Sequence, residues 1–396
     1  WLVFMTPNER SEDVAGALEN IRILDLSRVL AGPYCTMILG DLGAEVIKVE
    51  APGGSDETRG WGPPFQNNVS AYYLCANRNK KSITANLKTK EGIQIIKERV
   101  KESDVVINNF KTGTMEKFGL DYDTLSEINP GIVYCSITGF GETGPYKHIP
   151  GYDFIIQGMS GLMSITGNEE TGPQKVGVAI VDVLTGLYAC IGIQSALLER
   201  HVSGKGQKID LSLYDSAVSA LVNLGSNYLM SGKIPKQQGN KHANIVPYQT
   251  FKTQDGEFII AVGNDNQFKT LCEILEKPEY ATDERFATNK DRVQNRELIV
   301  PLLQEVLLTK PTAYWHEKCW QNNIPCGPIQ NLEEVVNDPQ LQSRDMFVDY
   351  DHPVAGPIKM INNPLKLSRT PVDINQHPPE AGEHNDDILG RLGLKQ

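Results

Sequence analysis

The 396-residue sequence has no basic run. Its 38 Lys and Arg stand against 49 Asp and Glu, a net charge of −11, so neither nucleic acid nor an anionic membrane surface is expected as its main partner. It also has no C-x-x-C pair. The seven cysteines, at 35, 75, 135, 190, 272, 319 and 326, are scattered and odd in number, which fits neither a disulfide framework nor a zinc site and points to a reducing compartment, the cytoplasm or a mitochondrial matrix. There is no G-x-x-x-x-G-K-[ST], no G-x-S-x-G and no H-E-x-x-H, and the seven histidines (148, 201, 242, 316, 352, 377, 384) show no metal-ligand spacing. The stretch SRVLAGP (27–33) holds one glycine where a dinucleotide fingerprint needs three, which disfavours an ordinary dehydrogenase. Trp1–Met5 lacks the basic lead-in and the hydrophobic length of a signal peptide, and no internal repeat is visible.

What the chain does have is 40% hydrophobic residues and length enough for two or three domains. IRILDLS (21–27) predicts a strand, Pro33 to Leu42 a helix with proline near its first turn, and EVIKVE (45–50) a second strand, which together make a βαβ unit and imply a parallel sheet. The pattern recurs in SITANL (82–87), a helix over 91–103, DVVINNF (104–110), GIVYCSITGF (131–140) and KIDLSLYDS (208–216). Two Gly/Pro-rich loops, 53–65 and 141–153, are too long for simple turns. From about 246 the texture changes to short strands around a Gln-Asp-Gly turn (254–256) and helices near 267–276, 296–308 and 312–323, predicting a smaller α+β domain.

The window from Val176 to Leu198 is nearly as long as a membrane span and carries a single charge, Asp182. Its glycines and polar residues and the lack of a second such segment favour a buried helix of a soluble protein. A lone carboxylate there is either satisfied by a helix end or backbone donors, or faces a cavity, where it could serve as a covalent nucleophile. Asn109 and Phe110, with Lys111 and Lys117 beyond, close a strong strand. That end of an open α/β sheet is where ligands bind, although an ordinary strand end reads the same way.

LDLSRVLAGPYCTMILGDLGAEVIKVEAPGGSDETRGWGPPF (24–65) resembles the opening of the class III CoA-transferases, the formyl-CoA transferase family. The likeness continues in order through ANRNKKSI (76–83), NNFKTGTMEKFGLDYDTL (108–125), ITGFGETGP (137–145), GYD (151–153), VDVLTGLYA (181–189), GKGQKIDLSLYDS (204–216), IPCGP (324–328) and GEH (382–384). The resemblance implies an α/β fold: a Rossmann-like large domain built from both termini (6–220 and 340–396), a small α+β domain (246–330), linkers at 221–245 and 331–339, and an interlocked homodimer. It implies Asp182 as catalytic nucleophile, and CoA contacts at Val29, Leu30, Ala31, Lys88, Asn109, Phe110 and Lys117. It also implies a substrate loop at Gly263 and Gln267, in a segment (GNDNQ, 263–267) stiffer than the family's glycine-rich flap. Coenzyme A and acyl-CoA enter as substrates beside a free carboxylate, with no tightly bound cofactor and no metal. An arginine that some members carry for a phosphate is Ala51 here.

The texture is closest to transferases using succinyl-CoA with dicarboxylates such as glutarate or hydroxymethylglutarate, where Arg28, Arg59, Arg78, Lys80 or Lys81 could hold a distal carboxylate. Two alternatives remain. α-Methylacyl-CoA racemases of the same fold carry G-H-D where this chain has Gly151-Tyr152-Asp153, and losing the histidine removes one of their two acid/base groups. A non-catalytic CoA-binding protein is the other, and the intact Asp182 speaks against it.

Overall fold

The structure, a computed structural model, describes residues 16–390, so Trp1–Met5 lies outside the described residues. The chain divides into two compact units. The larger comprises residues 16–163, 175–233 and 342–390, the smaller Ser164–Gln174 and Ile234–Leu341.

The larger unit is built on six parallel strands: β1 (Arg22–Asp25), β2 (Glu45–Glu50), β3 (Lys81–Thr84), β4 (Val105–Asn108), β5 (Val133–Thr138) and β6 (Lys208–Ser212), in the spatial order β3-β2-β1-β4-β5-β6. The near-continuous apolar runs of these strands follow from burial on both faces. One face packs helix α1 (Ala31–Asp41) and a long helix, here α4 (Ile180–Ser203), whose Ala189 and Ile193 meet Cys35, Leu39, Ile107 and Cys135 in one core. The other face packs α2 (Lys90–Val100), burying Ile95, Ile96 and Val100 against Leu24, Ile47 and Val106. The strand order reverses between β1 and β4, and the loops after these two strands open there. That switch point is where sheets of this kind bind ligands.

Helix α3 (Asp153–Met159) follows the 141–153 loop and packs on α4, as does α5 (Leu213–Ser219), which continues directly from β6. Helix α4 ends on Gly204 at φ +73° with its N–H bonded to the Arg200 carbonyl at 2.7 Å. It is not wholly buried. Val181, Thr185, Gly186, Ala189, Cys190 and Ile193 face the core, while Leu187, Tyr188, Ile191, Leu198 and Val202 are exposed.

Returning chain closes the sheet. In residues 376–385, the N–H of His384 donates to the carbonyl of Ser82 at 2.9 Å and Asn385 accepts the N–H of Thr84 at 2.9 Å, so the outer edge of β3 is covered. A hairpin of β10 (Phe347–His352) and β11 (Gly356–Ile361) belongs to the same unit.

In the smaller unit, β7 (Tyr248–Lys252), β8 (Glu257–Ala261) and β9 (Cys326–Pro328) form an antiparallel sheet, with α7 (Asp265–Ile274), α8 (Arg296–Leu307) and α9 (Thr312–Gln321) around Phe251, Phe258, Leu271, Leu303 and Trp315. The unit boundaries differ from the sequence expectation at three places. Residues 221–245, expected as a linker, contain α6 (Val222–Ser231), which stays with the larger unit and stops on Gly232 at φ +68°. Residues 164–174 leave the larger unit as a small hairpin of Gly167–Asn168 with Gly172–Pro173. The expected linker 331–339 carries the helix Leu332–Val336, started by a capping box of Asn331 and Glu334.

Candidate active site

The loop after β1 holds an unusual backbone. Val29 has φ +70°, a left-handed conformation that costs a β-branched residue about 1–3 kcal/mol and persists only where its surroundings enforce it. Those surroundings are identifiable. The N–H of Arg28 donates to Asn109 Oδ1 at 2.9 Å and Asn109 Nδ2 returns a bond to the Arg28 carbonyl at 2.6 Å, joining the ends of β1 and β4 across the switch point. The N–H of Val29 donates to Asp56 Oδ1 at 3.2 Å, and Asp56 is itself pinned by Lys48 Nζ at 2.8 Å, both side chains fully buried. Beyond Val29, α1 starts at Ala31 with no side-chain cap.

A cleft of about 160 Å³ opens at this point, and Val29, Leu30, Ala31, Asn109, Phe110 and Asp182 all line it. Six of the sequence-predicted site residues thus share one cleft. Lys88 and Lys117 do not line it; both are exposed. Gly263 and Gln267 belong to the smaller unit, where Asn264 caps α7 by accepting the Gln267 N–H at 2.9 Å and Gln267 Oε1 accepts the Gly263 N–H at 2.8 Å. The expected loop is therefore a helix start. Of the five cations considered for a distal carboxylate, only Arg28 reaches the cleft. Arg59 is bound to Glu50 at 2.6 Å, Arg78 to Asp41 at 2.7 Å, Lys80 to Asp25 at 3.3 Å and Lys81 to Glu45 at 2.8 Å.

Sequence reasoning missed other lining residues. Lys147 and His148 come from the 141–153 loop, at whose end Tyr152, already singled out in Gly151-Tyr152-Asp153, lines the same cleft as Asp182. That loop is held close to the sheet where Gly139 and Gly151 touch, since a Cβ on Gly139 would stand 2.6 Å from the Gly151 Cα. Lys147, with Arg28 and Lys111, places three cationic side chains along the cleft, where Glu57 pairs with Arg28 at 2.8 Å, a rim that can meet phosphates. Among the described residues no group of three His, Cys, Asp or Glu is placed to hold a metal ion.

Asp182 sits in the first turn of α4 and is half-buried. Burial, with the charge of Asp153 adding to it, pushes its carboxyl up from 3.8 to about 7. Tyr72, in the short helix Ala71–Leu74, lies within the field of both carboxylates and is pushed up to about 12, mainly by burial. Trp61 packs edge-on against it at 5.1 Å. A carboxylate with a neutral-range pKa beside a cationic cleft is a group poised for nucleophilic chemistry.

The sequence profile of CoA-transferase family III matches residues 18–385. The chain belongs to CoA-transferase family III. It is 46% identical over 386 residues to a succinate–glutarate CoA-transferase of Agrobacterium fabrum, covering 95% of each chain. It is also 46% identical to the succinyl-CoA:glutarate CoA-transferase of Homo sapiens, over 87% of this chain and 78% of that one. A CAIB/BAIF family protein from Brucella suis has a similar solved structure, with a TM-score of 0.83 and 46% identity over 96% of this chain and 100% of that one. This family III enzyme is therefore a CoA-transferase, and its parallel six-stranded sheet agrees with the fold of its relatives.

Proposed function

We propose that this enzyme moves CoA from succinyl-CoA to a dicarboxylate, glutarate first among acceptors, with Asp182 as the covalent nucleophile. The observation that carries the reading is the single cleft shared by Asp182, the Val29–Ala31 loop and Asn109–Phe110. The names of the 46%-identical relatives support the substrate pair. The cationic rim of Arg28, Lys111 and Lys147 fits the phosphates of coenzyme A, which enters as a substrate and not as a resident cofactor.

In this reading an Asp182 oxygen attacks the thioester carbonyl, the C–S bond breaks, and a mixed anhydride forms with CoA leaving as thiolate. The thiolate attacks the aspartyl carbonyl and releases succinate, leaving an aspartyl-CoA thioester. The acceptor carboxylate expels CoA thiolate to make a second anhydride. The thiolate then attacks its acyl carbonyl, forming the product thioester and freeing Asp182. Anhydrides hydrolyse readily, so the apolar stretch around Asp182 serves the reaction by limiting water. Racemisation is the weaker reading because Tyr152 stands at the cleft where racemases of this fold carry histidine.

A homodimer, interlocked as the family resemblance implies, completes the proposal. The exposed Ile191, Leu198, Val202, Leu229 and Met230 on α4 and α6 support it as apolar surface in need of a partner. Asp182→Ala is expected to abolish transfer while folding and CoA binding persist, and hydroxylamine trapping during turnover should place a hydroxamate on Asp182. Retained turnover, or a hydroxamate on another residue, overturns the mechanism. A panel of mono- and dicarboxylate acceptors tests the substrate assignment.

A further inference from the structure

Helix α4 begins at Ile180 with Ala179 in the N-cap position, and no side chain of its own segment caps it. The acceptor arrives from α3. Asp153 Oδ1 accepts the N–H of Val181 at 2.8 Å and that of Asp182 at 3.4 Å, from 28 and 29 residues away in sequence. Asp153 Oδ2 accepts from Gln157 Nε2 at 2.7 Å, and Gln157 Oε1 accepts the N–H of Val176 at 2.9 Å. Asp153 is 9% exposed and Gln157 fully buried, so this bracket of four bonds is shielded from water. It ties the start of the nucleophile's helix, and the chain entering it, to one carboxylate.

We propose that Asp153 is the positioning residue for Asp182, fixing the nucleophile's backbone and occupying the positive end of α4 with its own charge. The proposal rests on Asp182 being the nucleophile. A helix N-terminus favours an anion, and Asp153 takes the two amides that would otherwise stabilise the Asp182 carboxylate. Among the described residues no group donates a hydrogen bond to the Asp182 oxygens, while a second carboxylate stands close to them. A carboxylate without donors and beside a like charge is more basic, and in acyl transfer a more basic oxygen is a stronger nucleophile.

Other titratable or charged groups come from every element around α4. They are Tyr72 from the 71–74 helix, Tyr34 and Cys35 from α1, Cys135 from β5, Tyr214 and Asp215 from α5, Lys208 and Asp210 from β6, and the cleft cations. Asp153 is the one whose charge acts on Asp182. The other buried polar clusters of the larger unit serve different ends, as the bonds of Lys48, Lys80 and Arg78 show.

The test uses the full chain as wild type, Asp153→Asn and Asp153→Ala, assayed for succinyl-CoA to glutarate transfer from pH 5.5 to 9, with melting temperatures and hydroxylamine trapping in parallel. In Asp153→Asn the amide oxygen still accepts the Val181 N–H, but the new NH2 meets Gln157 Nε2, and turning the Gln157 amide would only move the clash to the Val176 N–H, so one bond of the bracket is lost and melting falls by less than in Asp153→Ala. The kcat of Asp153→Asn is expected to fall roughly tenfold at pH 8 with KM for succinyl-CoA within about twofold, and the acid limb of kcat/KM to move down by on the order of one pH unit. Asp153→Ala, which loses the acceptor as well as the charge, should lose roughly a further tenfold.

An unmoved acid limb in Asp153→Asn overturns the proposal. So do equal losses in the two variants that simply track lowered melting temperatures. Trapping separates this from its premise: wild-type hydroxamate absent from Asp182 defeats the nucleophile and the positioning residue together, whereas hydroxamate on Asp182 with an unmoved limb defeats only Asp153.

Discussion

A carboxyl group that titrates near neutrality leaves its mark on rate and on stability, in opposite directions. As the proposed nucleophile Asp182 must be ionised to attack, so kcat/KM of the wild type should fall as the pH drops below about 7, the value to which burial has raised it from 3.8. Because its folded-state value lies above the unfolded one, the stability it contributes is complete below about 3.8 and is lost as the pH rises through about 7. Asp182→Asn should accordingly melt above wild type at pH 8, with the gap narrowing towards pH 5, as scanning fluorimetry across pH would show. The cations divide in the same residue-by-residue way. Arg28→Ala should raise KM for acyl-CoA with little change in melting, because Arg28 lines the cleft and its contacts are to the exposed Glu57, the Ser55 carbonyl at 3.4 Å and the Phe110 ring. Arg78→Ala leaves the buried Asp41 without its cation, though still bonded by Asn79 and Asn363, and should cost on the order of 3 kcal/mol in chemical denaturation. Asp182 was legible in the sequence as the single charge of a long apolar window. Asp153 was not, because an acceptor 28 residues from the helix it caps leaves no local spacing to read, and neither the burial of Arg78 nor the reach of Lys147 can be known before the chain folds.

Among the elements, the contact that matters most is α4 on α1. A Cβ at Gly186 would stand 2.8 Å from the Ala31 carbonyl oxygen and 3.2 Å from the Tyr34 ring, so glycine at this crossing lets the helix bearing Asp182 lie against the helix that opens on the cleft. Gly186→Val should force the pair apart, lowering stability by about 1–3 kcal/mol and kcat by more than that loss alone explains. Denaturant melts and kinetics on the same preparation would check it. The regular elements were largely readable: apolar runs placed the strands, an apolar face placed α2, and the helical stretches expected near 296–308 and 312–323 match α8 and α9 within a few residues. The misreadings have physical causes. Residues 263–267 carry a helix-starting Asn264, which caps α7 and converts an expected loop into a first turn. The window 176–198 is apolar all round, yet only one side is covered by α1, α3 and α5, so composition alone could not show a bare face on α4.

At the scale of the whole molecule, the larger unit is assembled from sequence on both sides of the smaller one, and the strand reversal between β1 and β4 sets its ligand cleft. The parallel sheet followed from the recurring βαβ pattern. The order of its strands, and hence the meeting of Arg28 with Asn109 across 81 residues, did not, since pairing between distant strands is a tertiary choice. The covered edge of β3 gives a direct expectation: a chain ending at Asn375 should keep every residue of the cleft yet aggregate on purification, with light scattering as the readout. The same closure has a timing consequence. Ser82 must wait for His384, 302 residues later, which at about 5–20 residues per second is about 15–60 s of ribosomal synthesis. Throughout that interval the emerging protein carries an open sheet edge in the crowded cell, so its yield depends on how fast translation finishes and on what shelters the edge meanwhile.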